Sequence, residues 1–193
     1  MHMTLSKSVL PVIFISLLSL QGCAAVAVGA AAVGISSATD PRTIGTQVDD
    51  QTIEMKANAK LGSDEQLEDS RVAAISYDTN VLLVGQVPSE ALKRRAEDVI
   101  RDTNGINKIF NQLRIGSKAS ASVRAGDSWI TSKVKLKFAN NKSIDATNIK
   151  VVTENAEVFL LGHVSQAEAD AAVEVARNVE GVERVIKALT IKR

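Results

Sequence analysis

Val158-Phe159-Leu160-Leu161-Gly162-His163-Val164 decides the fold, because the pattern occurs twice. Shifted by 77 positions, it falls on Val81-Leu82-Leu83-Val84-Gly85-Gln86-Val87. The match runs without gaps from Asp50 to Val87, with Asp50 on Asp127, Ile53 on Ile130, Lys56 on Lys133 and Lys60 on Lys137. After one single-residue gap, Gly105-Ile106 falls on Gly181-Val182 and Leu113-Arg114-Ile115 on Leu189-Thr190-Ile191. Self-similarity of this kind marks one structural unit present in two copies.

Each copy carries the same element order. Ile130, Val134 and Phe138 recur every four residues, as do Ile53, Ala57 and Leu61, which is the period of a helix with one buried stripe. Asp127 or Ser128 is the expected cap of the second of these helices, and Asp49-Asp50 that of the first. Two strands follow, Val72 to Tyr77 with Val81 to Val87, and Ile149 to Thr153 with Val158 to Val164, joined by tight turns at Asp78-Thr79-Asn80 and Glu154-Asn155-Ala156. Ser165-Gln166-Ala167-Glu168 has the form of a capping box opening a second helix. Gly105 and Gly181 suit the left-handed stop after that helix. A last strand covers Ile106 to Ile115 and Val182 to Ile191. The expectation is an α+β fold of two tandem αββαβ domains, each a three-stranded mixed sheet with two helices on one face.

The N-terminus has a different character. Lys7 precedes an apolar run, Val9 to Leu20, of signal-peptide length and too short to span a bilayer comfortably. Leu20-Gln21-Gly22-Cys23 follows and resembles a bacterial lipobox, in which the thiol takes a diacylglycerol and becomes the first residue of the mature chain. Cys23 is therefore the expected lipid attachment site, its acyl chains (palmitate among them) giving stable anchoring at about 0.8 kcal/mol per buried CH₂. Ala24 in place of Asp implies, by resemblance to other lipoproteins, sorting to the outer membrane. The expected organisation is a signal peptide at 1–22, lipidated Cys and flexible tether at 23–46, domain one at 47–115, a Ser/Ala/Gly linker at 116–126 and domain two at 127–193.

Composition narrows the chemistry. The 193 residues carry a net charge of +1, one Trp, one Tyr and a single Cys. That leaves no strong field for nucleic acid and no internal disulfide. His2 lies in the signal segment, and His163 reads as a lone surface histidine. Glu154 and Glu157 flank a hairpin turn and read as solvated. No nucleophile–base pair, metal-ligand spacing or phosphate loop is present, so the expectation is a non-enzymatic protein without cofactor, metal or catalytic residue.

Helix, hairpin, a V-x-L-x-G-x-V second strand, an alanine-rich helix and G-V-x-x-V together resemble the BON-domain family. Copy two shows the last motif as Gly181-Val182-Glu183-Arg184-Val185, whereas copy one departs to Gly105-Ile106-Asn107-Lys108-Ile109. The whole chain is similar to outer-membrane lipoproteins with two such domains. That resemblance implies a monomeric periplasmic protein that binds phospholipid, supports outer-membrane integrity and gathers at division sites. The alternative it leaves open is an adaptor for outer-membrane assembly or peptidoglycan machinery.

Where the copies differ, function is expected. On a wheel of the first helix of copy two, Trp129, Ser132, Lys135, Leu136 and Ala139 point away from the Ile130-Val134-Phe138 stripe, and Lys133 flanks them. Residues 128–142 hold Lys133, Lys135, Lys137 and Lys142 and no acid, a charge of +4. The matching 51–65 stretch sums to −1. An outward indole and leucine ringed by lysines suits an anionic, phosphatidylglycerol-like bilayer, each Lys adding about 1 kcal/mol. The expected contact residues are thus Trp129, Ser132, Lys133, Lys135, Leu136 and Ala139. The competing reading packs Trp129 or Leu136 against the core edge or the other domain. The arginines of the second helix in copy one, Arg94, Arg95 and Arg101, read as solvated.

Overall fold

The computed structural model describes residues 42–192. The signal segment, Cys23 and the tether up to residue 41 lie outside them. Domain one runs α1 (Ile44–Ser63), β1 (Arg71–Tyr77), β2 (Asn80–Val87), α2 (Glu90–Arg101), β3 (Lys108–Asn111) and β4 (Arg114–Ile115). Domain two runs α3 (Ala121–Ala139), β5 (Ile149–Glu154), β6 (Glu157–Val164), α4 (Gln166–Arg177) and β7 (Arg184–Ile191). A 3-10 turn precedes the hairpin in each, Glu65–Leu67 and Ala146–Asn148. In the second, Asp145 accepts from the Thr147 hydroxyl and amide, which holds its carboxyl below the ordinary aspartate value.

Both sheets have the expected mixed topology. β1 is antiparallel to β2 and β5 to β6, while β7 runs parallel to β6. The last strand of copy one is interrupted, so that β3 and β4 pair in parallel with successive parts of β2. The Asn111 side chain, which donates to Lys93 O at 2.8 Å and accepts from Leu113 N at 3.3 Å, marks the break.

Both first helices start earlier than their capping residues led us to expect. α1 is capped by Thr43 and α3 by Ser120, so α1 already includes the end of the expected tether and α3 the second half of the expected linker. Asp50 and Asp127 are therefore not caps. They lie in the helix interior, 3% and 6% exposed, and reach across to the hairpins. Asp127 accepts from Asn155 N and Ala156 N, both at 2.8 Å, and Asp50 from Asp78 N at 2.8 Å and Thr79 N at 2.9 Å. Those turns hold two consecutive residues at positive φ, Asp78 and Thr79 (51° and 62°) and Asn155 and Ala156 (51° and 61°). None is glycine, so each turn is strained by the clash of Cβ with backbone. The buried carboxylate offsets that strain by accepting both turn amides. Asp127→Ala is expected to lower the unfolding free energy by about 2 kcal/mol, read from urea denaturation, because two hydrogen bonds to a charged acceptor vanish together.

Ser165 caps α4 as expected, accepting from Glu168 N at 3.2 Å. Glu168 does not turn back to complete a capping box. Its carboxylate accepts from Asp145 N at 2.8 Å, tying α4 to the loop ahead of β5.

Every central strand is buried on both faces, which the αββαβ expectation left open. In β2, Val81, Leu83 and Val87 meet α1 and α2, while Leu82 and Val84 point the other way. In β6, Val158, Leu160 and Val164 meet α3 and α4, while Phe159 and Leu161 point the other way. The two outward sets meet: Tyr77, Leu82, Val84, Phe159 and Leu161 form a third core, flanked by Ile75, Phe110, Val152 and Ile186. The sheets thus pack face to face, giving four layers in the order helix, sheet, sheet, helix.

This seam corrects three sequence readings. Glu154 and Glu157 are not solvated; each is 6% exposed. Arg71 reaches across with a two-pronged bond to Glu154, both contacts 3.0 Å, and Gln86 Nε2 adds a third at 2.9 Å. Arg114 does the same to Glu157, both contacts 2.8 Å, and Arg184 pairs with it from the neighbouring strand. His163 is not a lone surface residue either. Its Nε2 lies 2.9 Å from Asp78 Oδ2 and its ring 6.1 Å from that of Tyr77, both in the other domain. Lys150 also crosses, to Glu54 Oε1 at 2.5 Å and Ser76 O at 3.1 Å. The sequence pattern hid these roles because charge usually marks a solvated face. Here burial is compensated by paired, forked geometry.

Candidate functional site

Among the described residues nothing covers the outer face of α3. Its inner stripe of Ile130, Val134 and Phe138 is anchored in the core, which sets the rotation of the helix. The opposite face then points to solvent of necessity. Trp129 is 66% exposed and Leu136 64%. Ser132, Lys135 and Ala139 are exposed beside them. The competing placement of Trp129 or Leu136, against the core edge or domain one, is excluded by this exposure.

Lys133 is placed differently from the expectation. It is half-buried, with Nζ donating to Glu180 O at 2.9 Å and lying 5.9 Å from the centre of the indole ring. It braces the tryptophan and the loop after α4 together, and its charge is shared with the Glu180 carboxylate at 3.6 Å. Lys137 likewise donates to Asn178 O at 3.3 Å. Lys135 forms no ion pair among the described residues and is the cation most available to a surface.

The structure adds a feature that the helical wheel missed. Beside Leu136 an open depression of about 720 Å³ runs between the end of α3 and α4, with Lys142, Val175 and Asn178 on its walls. Sequence patterning on one helix does not reveal a groove made by two. The equivalent helix, α1, exposes Ile44, Val48 and Met55 but no aromatic ring. On α2, Arg95 is not simply solvated: it pairs with Asp64 at 2.7 Å, while Arg94 and Arg101 are exposed. No described helix is long and apolar enough to cross a membrane.

Comparison with known proteins matches this architecture. The BON domain family matches residues 49–117 and 126–193, one match per copy. The chain is 44% identical over 169 residues to an outer membrane lipoprotein, DolP, of Haemophilus influenzae, covering 87% of this chain and 88% of that protein. It is 44% identical over 151 residues to a 21 kDa hemolysin of Actinobacillus pleuropneumoniae, covering 78% of each. It is 30% identical over 152 residues to the osmotically-inducible protein Y of Escherichia coli, covering 77% of this chain and 76% of that one. A duplicated αββαβ unit and this extent of relatedness agree: the chain belongs to the BON-domain family, as a DolP-like lipoprotein of the outer membrane.

Proposed function

We propose that the protein is a non-enzymatic envelope component that binds anionic phospholipid through the outer face of α3 and thereby supports outer-membrane integrity, including at division sites. The exposed Trp129 is the single observation that carries this reading. Trp129 shares its exposed face with Leu136, and an indole settles at the headgroup level of a bilayer. Leu136 inserts beside it, and Lys135 and Lys142 meet lipid phosphates, each worth about 1 kcal/mol near an anionic surface. The lipid on Cys23 already holds the chain at the membrane, so even a weak second contact acts at high effective concentration.

The test is vesicle co-sedimentation of the full mature chain carrying Cys23→Ser. Binding to phosphatidylglycerol vesicles, weakened by salt, is expected. Trp129→Glu is expected to weaken it at least about tenfold, because it removes the ring and places a like charge against the lipid. Met55→Glu, the matched change on α1, is expected to leave it unaltered. Failure of the parent protein to bind sinks the lipid reading. A protein partner retained on an affinity column by both parent and Trp129→Glu favours an adaptor instead.

A further inference from the structure

The domain seam has two ends that are equivalents of each other, and among the described residues one is filled and the other is not. Exchange of the copies turns the contact between Arg71 and Glu154 into that between Asn148 and Tyr77, and indeed the Tyr77 hydroxyl donates to Asn148 O at 3.4 Å. It turns the contact of Gln86 with Glu154 into that of His163 with Tyr77. Strand register extends the equivalence. Glu157 pairs with Arg184 as Asn80 pairs with Lys108, and Gln86 pairs with Arg114 as His163 pairs with Thr190.

At the filled end, the carboxylate of Glu157 sits between Arg184 on the next strand and Arg114 of the other domain. At the other end the carboxylate is absent, since Asn80 stands in its place. Of the two cations one persists, as Lys108, while Thr190 stands where Arg114 does. Instead of a buried ion pair there is a cavity of about 290 Å³, lined by Tyr77, Phe110, Leu161 and Ala188 with Lys108 beside them. Lys108 rests 4.5 Å over the Phe110 ring and has no ion pair among the described residues. Asp78, the acid close by, is already engaged by His163.

We infer that this open end binds a small organic anion, a carboxylate or phosphate group with a short apolar tail. The anionic group takes the position that Glu157 occupies at the filled end, against Lys108, and the tail lies between Phe110 and Leu161. The volume is at the lower limit of small-molecule sites, about 300 Å³, and is too small for a whole phospholipid. The site is separate from the α3 face and does not depend on its role.

The test is an NMR titration of the mature chain carrying Cys23→Ser, with hexyl phosphate as the probe. Saturable shifts are expected at Leu161, Ala188 and Thr190. Lys108→Ala is expected to weaken binding at least about tenfold, as loss of a charge-assisted contact does. Asn80→Glu is expected to abolish it, because the new carboxylate occupies the site from within as Glu157 does. Trp129→Glu is expected to leave it unchanged. Dihexanoyl phosphatidylglycerol below its micelle concentration separates the two sources of such an anion. Tighter binding than hexyl phosphate assigns a lipid headgroup, weaker binding a free metabolite, and either supports the site. Absence of saturation at these residues with both probes overturns the proposal, as does parent-like binding by Lys108→Ala, a surface change that holds the test open even if Asn80→Glu does not fold. Inorganic phosphate binding as tightly as hexyl phosphate overturns the apolar tail.

Discussion

Gly85→Ala is expected to unfold domain one at temperatures where the parent is fully folded, at a loss above about 4 kcal/mol, the range reserved for severe core disruption. Gly85 has φ +123°, and a Cβ there stands 2.0 Å from the carbonyl oxygen of Arg71 and 2.9 Å from its carbon. Both are backbone atoms of the paired strand, so no side-chain rotation relieves the overlap. The strands must part at the rung where Val72 faces Gly85. Arg71, whose side chain bridges to Glu154, moves with them, so the damage reaches the seam. Gly116→Ala is the matched control, since nothing lies within 4 Å of a Cβ there. Thermal unfolding followed by circular dichroism decides it. A Gly85→Ala protein within about 1 kcal/mol of the parent, the cost of an ordinary substitution, would refute the close-approach argument.

Phe159→Ala is expected to remove about 3–5 kcal/mol and to split one unfolding transition into two. Phe159 is 1% exposed, yet it faces the opposite sheet and not its own helices. Its loss leaves the core of domain two, built on Ile130, Val134 and Phe138, untouched. What weakens is the layer that makes the two domains unfold together. Each then melts on its own helix-covered core, and two-state behaviour fails. Phe138→Ala, of similar side-chain loss, is expected to lower domain two instead and keep the seam. Amide exchange resolved by residue separates the cases. A single cooperative transition in Phe159→Ala, with both domains opening at one free energy, would sink the proposed role of the seam.

Much of this was legible in one dimension because it depends on local period. Ile53-Ala57-Leu61 and Ile130-Val134-Phe138 mark helices with a single inner face, and all six residues are buried. The same period makes Trp129 and Leu136 face outward, where the structure places them. The role of Asp50 and Asp127 is not legible this way, because they accept from turns 28 and 29 residues away. No local pattern encodes such a partner. The contact of Lys133 with Glu180 is invisible in the sequence for the same reason, since Glu180 comes beside it only after α4 has returned.

The sequence by itself determined the duplication, the αββαβ order and the outward face of α3. Each follows from spacing along the chain, where the 3.6 and 2.0 residue periods assign faces without knowledge of neighbours. Only the tertiary structure decided that the two sheets share a core, that Glu154 and Glu157 are buried ion-pair partners, and that one end of the seam is open. Those depend on which face of one copy meets which face of the other. Alternation shows that β2 and β6 are apolar on both sides, but it carries no information about what lies across from Phe159 or His163.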